Sequence, residues 1–250
     1  MLRGAIFDLG STLISNDYNN QWHRLRPRMV ADLIADLEAQ GLALDPASFA
    51  EAFARIFADF DAQRQTHFKE VTSDYILRAT LSELNIQPDG LDFPRALAAY
   101  FAFSESLWTP MPGVYETLAD LASARRGLKL ALVSNAADNA NVQRLVDNHN
   151  LRGYFNPIVV SAAVGVRKPN PRIFAPVLEA WRIPPAEIVV IGDTLGADTL
   201  GAKNAGMKSV WVTMEADTPY NDAHRHTIIP DAVAASLAEL PTIIEKLGEQ

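Results

Sequence analysis

The chain has 250 residues, 48% of them apolar and 21% charged, a globular composition with enough length for one large domain or for two sharing the chain. A formal charge of −8 and no Lys/Arg-rich block argue against broad nucleic-acid binding through phosphate neutralisation. With no cysteine, disulfides, thiolate metal sites and cysteine nucleophiles are excluded together, which fits a cytoplasmic setting.

Residues 2–7 read as a short buried strand, closed by the turn signal that begins at Asp8. This apolar run is interrupted by Gly4 and ended by Asp8, so neither a leader nor a membrane span is expected of it. From about residue 18 to 107 the periodicity is helical. Met29, Leu33 and Leu37 form one stripe; Phe49, Phe53, Ile56, Phe57 and Phe60 a second; Tyr75, Leu77, Leu81 and Leu84 a third; and residues 94–104 suggest a fourth helix. The spacing alone predicts packing between antiparallel helices. Residues 108–113, Trp-Thr-Pro-Met-Pro-Gly, read as a hinge.

Thereafter the pattern alternates. Strands are predicted over 128–133, 158–160, 188–191 and 209–212, and helices over 138–148, 172–180, 196–205 and 234–247. Such alternation implies a parallel sheet covered on both faces, with its chemistry at the carboxyl ends of the strands. The predicted fold class is therefore α/β: a doubly wound parallel sheet from residues 1–15 and 108–250, with an all-helical domain inserted over 16–107.

Four motifs fall after predicted strands: Asp8 with Gly10 and Thr12, Ser134-Asn135, Lys168 in Gly165-Val-Arg-Lys-Pro-Asn-Pro171, and Asp193 with Asp198. As a set they suit phosphoryl transfer. An ionised carboxylate can attack phosphorus and split one hard step into two. Carboxylates from different strands can hold Mg²⁺, a hard cation that prefers oxygen ligands and screens repulsion between anionic nucleophile and anionic substrate. A hydroxyl, neighbouring N–H groups and an ammonium can bind the remaining phosphoryl oxygens. Structural alternatives exist for each: Asp8 as a strand-ending turn residue, Ser134-Asn135 as a helix N-cap, Lys168 as a loop lysine, Asp198 as a first-turn helix acid.

Hydrophobic-strand-Asp-x-x-x-Thr, strand-Ser-Asn, Gly-x-x-Lys-Pro-x-Pro and Gly-Asp-x-x-x-x-Asp, in this order, resemble the four motifs of the haloacid dehalogenase (HAD) superfamily. The stretch from Gly201 to Met207 is similar to the family's usual continuation, and the helical block resembles its C1 cap. The resemblance implies a Rossmann-like core and a Mg²⁺-dependent phosphatase acting on a small phosphorylated substrate. It implies that Asp8 is nucleophile and metal ligand, that Ser134 and Lys168 bind phosphate, and that Asp193 is a metal ligand supported by Asp198. Thr12 would position the nucleophile loop, and Asn135 would orient Asp8 or a substrate oxygen.

One position departs from that pattern. Family phosphatases carry a second Asp two residues after the nucleophile, as the acid that protonates the leaving oxygen; here it is Gly10. The Gly10 carbonyl can still ligate metal, but the acid/base function is lost, a change worth about 10²–10⁴ in rate. Substrates with good leaving groups, a replacement acid such as Asp17 or His23, and lost catalysis are the readings left open. C–halogen hydrolysis is a further alternative, against which the retained Asp193 and Asp198 argue. The five histidines, at 23, 67, 149, 224 and 226, lack metal-ligand spacing, and His224 and His226 read as surface residues. Arg24, Arg26 and Arg28 read as a solvated helix face, or as a contact for an anionic substrate. A monomer and a homodimer are equally compatible with the sequence.

Overall fold

Strand β1 (Gly4–Phe7) is buried along its whole length, as expected of a central strand with helices on both faces. The computed structural model describes residues 1–18, 22–124 and 126–249. After β1 come β2 (Ile14–Ser15), the helices α1 (Trp22–Ala39), α2 (Pro46–His67), α3 (Ser73–Glu83) and α4 (Phe93–Glu105), and β3 (Thr109–Pro110). Next are α5 (Val114–Leu121), β4 (Lys129–Ser134), α6 (Asn139–Asn148), β5 (Ile158–Val160), the one-turn α7 (Ser161–Val164) and α8 (Ala175–Trp181). The chain closes with β6 (Ile188–Gly192), α9 (Leu200–Asn204), β7 (Lys208–Val212), α10 (Pro219–His224), β8 (Ala232–Ala234) and α11 (Leu240–Gly248).

Six strands form one parallel sheet in the order β5-β4-β1-β6-β7-β8. Successive side chains point to opposite faces, and the two faces bury different sets. Ala5, Phe7, Leu130, Leu132, Val189 and Ile191 pack with Val114 and Leu118 of α5, Val142 of α6 and Ile244 of α11. Ile6, Ala131, Val133, Val159 and Val190 pack with Val177 and Trp181 of α8 and Ala202 of α9. This is the doubly wound α/β arrangement expected from the alternation. Strand order reverses at β1, between β4 and β6, so the carboxyl ends of these three strands open the crevice where ligands of such sheets bind.

Helices α1–α4 build a hydrophobic core of their own, with Leu33, Leu37, Phe49, Phe53, Ile76, Leu77, Leu81 and Ala96 at its centre. Their starts follow from local chemistry. Asp45, Thr72 and Asp92 are N-caps whose side chains accept from Ser48 N, Tyr75 N and Arg95 N, and Pro46 begins α2 where its missing N–H costs nothing. The paired β2 and β3 stand at the two crossings between sheet and helices, beside the predicted hinge. A third connection lies elsewhere. The strap between α2 and α3 pairs with the loop after α7 through a Lys69–Val166 bridge, Glu70 N to Gly165 O (3.0 Å) and Arg167 N to Phe68 O (3.1 Å). Ser73 N also donates to Ala137 O (2.8 Å).

The third predicted stripe is shifted. Tyr75 is 53% exposed with its ring edge on Phe60, and the buried face of α3 runs through Ile76, Leu77, Thr80 and Leu81. Phe57, expected in the helical core, is half-buried and lines a cavity. The last predicted helix begins later: residues 232–234 pair as an edge strand, and α11 starts at Leu240. Helices α5 and α10 have no counterpart among the predicted elements.

Candidate active site

At the end of β1 the main chain of Asp8 donates to Ile191 O (2.9 Å), which carries the sheet ladder one residue past the strand and fixes where the carboxylate emerges. The loop then closes on itself through Leu13 N to Leu9 O (2.8 Å) and Ser11 N to Ile14 O (2.7 Å). Thr12 is fully buried in that turn, and its hydroxyl donates to Asp193 Oδ1 at 3.3 Å. The loop after Asp8 and the end of β6 are thus joined side chain to side chain.

Lys168 sits between the acids. Its Nζ lies 2.5 Å from Asp8 Oδ1, 2.7 Å from Asp198 Oδ1 and 2.8 Å from Val133 O, with only 2% of the side chain exposed. Asn135 holds the lysine's main chain from both sides: Lys168 N donates to Asn135 Oδ1 (2.8 Å), and Asn135 Nδ2 donates to Lys168 O (3.1 Å). The amide expected to orient Asp8 or a substrate oxygen is therefore engaged in placing Lys168. Ser134, the last residue of β4, lines the same cavity.

Asp198 stands in a single π-helical turn, Leu195–Thr199, and accepts from Thr194 N at 3.0 Å. It approaches the strand so closely that a Cβ on Gly192 would lie 2.2 Å from its Cγ; only glycine leaves room there. Asp193 is fixed at its backbone, whose carbonyl accepts from Trp211 Nε1 (2.7 Å) and Asn221 Nδ2 (2.9 Å). One oxygen each of Asp8, Asp193 and Asp198 lies within 4.8 Å of the other two.

One ammonium facing three carboxylates leaves an excess of negative charge, and the protonation equilibria follow. Burial, then the Asp198 charge, pushes the Asp8 carboxyl up to about 6 although Lys168 opposes it. Burial, with Asp198 and Asp8, also holds Asp193 well above the usual carboxylate range. Burial works to lower Lys168, but Asp198 and Asp8 outweigh it and keep the lysine above its ordinary value. The ammonium is therefore charged at any physiological pH.

These residues floor a cavity of about 720 Å³ whose upper wall comes from α1, α2 and α4, through Trp22, His23, Arg26, Phe57, Arg64 and Tyr100. Gly10 faces Trp108, whose Cη2 would meet an added Cβ at 3.2 Å. Of the two side chains considered as replacement acids, His23 lines the cavity, whereas Asp17 is exposed and outside it. His226 is exposed, and His224 packs on the Tyr220 ring. Arg24 and Arg28 are exposed as expected, while Arg26 turns into the cavity. Trp211, Asn221, Glu70 and Arg64 escaped the sequence reading because none lies within a motif; Trp108 was read only as part of the hinge, and Arg167 only as a neighbour of Lys168.

A family model described as a haloacid dehalogenase-like hydrolase matches residues 2–206, a stretch that holds Asp8, Ser134, Lys168, Asp193 and Asp198. The chain belongs to the haloacid dehalogenase-like hydrolase family. A glyceraldehyde 3-phosphate phosphatase of Pyrococcus furiosus is 26% identical, covering 100% of this chain and 94% of that protein. A pyrimidine 5'-nucleotidase of Escherichia coli is 32% identical over 65% of this chain and 67% of its own. Among solved structures, a 2-haloacid dehalogenase of Pseudomonas syringae superposes with a TM-score of 0.66 at 24% identity, covering 98% and 99% of the two chains, a likeness of fold. As a member of this family the chain is a hydrolase, and relatives that match it end to end are named as phosphatases. No helix among the described residues is long and apolar enough to cross a membrane.

Proposed function

We propose that the chain is a Mg²⁺-dependent phosphohydrolase that cleaves a small phosphorylated metabolite through an aspartyl-phosphate on Asp8. The observation that carries this reading is the meeting of Asp8, Asp193 and Asp198 around Lys168. The donor set fits a hard divalent cation: it is all oxygen, and it has two more negative charges than the lysine balances. The carboxyls of Asp8 and Asp193 are raised by burial first, with the neighbouring Asp198 charge adding to it, which is the setting in which a cation would favour their ionised forms. Asp8, Asp193, Asp198 and the Gly10 carbonyl would hold Mg²⁺, which when bound neutralises charge on the carboxylates and on the phosphoryl group.

The chain's own groups then divide the work. Lys168 keeps Asp8 ionised and balances the phosphoryl oxygens, while Ser134 donates a hydrogen bond to one of them. An Asp8 oxygen forms the new bond to phosphorus as the ester oxygen departs with the bonding pair. Water then attacks the acyl-phosphate at phosphorus, regenerates the Asp8 carboxylate and releases phosphate. Without a carboxyl at Gly10 the departing oxygen receives little help, which favours good leaving groups such as sugar 1-phosphates, aryl phosphates or acyl phosphates. Of Asp17 and His23, only His23 lies on the cavity wall, where it would supply the proton. Residues 16–107 act as a cap that excludes water from the acyl-phosphate in a cytoplasmic enzyme.

Phosphate release from a panel of such esters, with wild type and Asp8→Asn, with and without Mg²⁺, tests the reading. Release that requires both Mg²⁺ and Asp8 is expected. Release from no ester above the variant's background, with halide freed from 2-chloropropionate instead, would overturn it.

A further inference from the structure

The floor of the cavity is acidic, and its helical wall carries one cation that, among the described residues, has no carboxylate partner. Arg64 is buried and pairs with Asp61 and with Glu70 (3.4 Å), and Arg167, on the loop leading to Lys168, faces the same Glu70 at 3.6 Å. Each of these two arginines thus has a carboxylate counter-ion. Arg26 is different. It is half-buried, its Cζ stands over the Phe57 ring (3.9 Å to the centroid), and it interacts with the buried Tyr100 hydroxyl through charge and a hydrogen bond. Among the described residues no carboxylate lies within 4.0 Å of it. All three arginines line the cavity that Asp8 floors.

A guanidinium stacked on an aromatic face is held as a rigid fork, with its N–H edge left to bind a planar or tetrahedral oxyanion. Drawn partly out of water without a counter-ion, it gains most from a ligand that brings one. We infer that Arg26, backed by Arg64 and Arg167, binds a second anionic group of the substrate, a carboxylate or a further phosphate, while the scissile phosphoryl group sits over Asp8. The substrate class is then a phosphomonoester with an acidic group at the end away from the ester. This rests on the phosphatase reading above, and the two can fail separately.

The test compares phosphorylated ω-hydroxy acids of two to four carbons, and the diol bisphosphates, with alkyl phosphates of the same length. Steady-state kinetics are run on wild type, Arg26→Gln and Arg26→Lys. Wild type should prefer one anionic series by about 10- to 100-fold in kcat/KM, the worth of a charge-assisted hydrogen bond, chiefly through KM. Whichever series is preferred tells carboxylate from phosphate. In Arg26→Gln that ratio should fall to within about threefold of one, with Arg26→Lys between. Absence of any preference in wild type, or an equal loss on all esters in Arg26→Gln, would overturn the inference while leaving the phosphatase intact. If wild type hydrolyses no ester at all, calorimetric binding of the same acids and alkyl phosphates with Mg²⁺ decides, and equal affinities in wild type and Arg26→Gln would overturn it.

Discussion

Replacing Lys168 with methionine keeps the stem's bulk and removes the charge from a position where 2% of the side chain is exposed. The lysine's two ion pairs and its bond to Val133 O are lost together, leaving three carboxylates within one small volume and no cation among them. Breaking a buried ion pair from one side costs about 3–5 kcal/mol. In a chain of this length that is roughly 6–20 °C of melting temperature. The cost must depend on pH. Asp8 and Asp193 are already raised, and without Lys168 their folded-state values rise further, so low pH supplies protons in place of the ammonium. Thermal unfolding with a chelator should therefore show the full loss near pH 8 and a much smaller one near pH 5. Saturating Mg²⁺ should recover a larger share in the variant than it adds to wild type. A loss under about 3 °C at pH 8, or the same loss at both pH values, would refute the charge argument.

In the metal-free wild type, Asp8 has a folded value of about 6 against an ordinary 3.8. Its contribution to stability is thus complete below that ordinary value and is lost as pH rises through about 6, so the melting-temperature gain from Mg²⁺ should be small at about pH 4.5 and largest above neutrality. An equal gain at both would exclude the acidic trio as the metal site. Gly10→Asp alone should lose about 1–3 kcal/mol, since its Cβ would sit 3.2 Å from Trp108, and Trp108→Leu should restore much of it. In the folded double variant, the dependence of rate on leaving-group pKa should flatten; an unchanged slope would show that protonation is not what Gly10 removed. Gly192→Ala should displace Asp198, which lies 2.2 Å from the new methyl position, and weaken Mg²⁺ by about tenfold or more in titration calorimetry. Unaltered affinity would mean that Asp198 plays no part in holding the ion.

The parts legible from sequence are those where local chemistry and the fold make the same demand. β1, β5, β6 and β7 read correctly because strands buried on both faces are continuous apolar runs bounded by turns. Asp8, Lys168, Asp193 and Asp198 were legible because each follows such a strand, where topology makes residues far apart in sequence into neighbours. The buried face of α3 was misjudged at Tyr75, since the choice between neighbouring apolar residues is made by α2 packing beside it, not by the helix itself. β8 exists only through its pairing with β7, and three residues cannot announce that alone. The bonds of Asn135 to the main chain of Lys168, 33 residues away, were not legible for a similar reason: main chain leaves no trace in a motif. Arg26 was one of three alternating arginines, and only the tertiary structure separates the one that turns inward.

The strap at residues 68–71 has a mechanical consequence. Two attachments define an axis about which a body can swing; a third attachment off that axis stops the swing. Here the third is a short ladder of main-chain bonds plus Glu70, whose nearly inaccessible carboxylate takes a 2.6 Å hydrogen bond from Ser161 while facing Arg64 and Arg167. For the helical layer to lift, the ladder must unzip, or the loop must travel with it. That loop runs directly into Lys168. Any displacement of the helical layer that carried this loop along would therefore also disturb the seating of the Lys168 ammonium between Asp8 and Asp198.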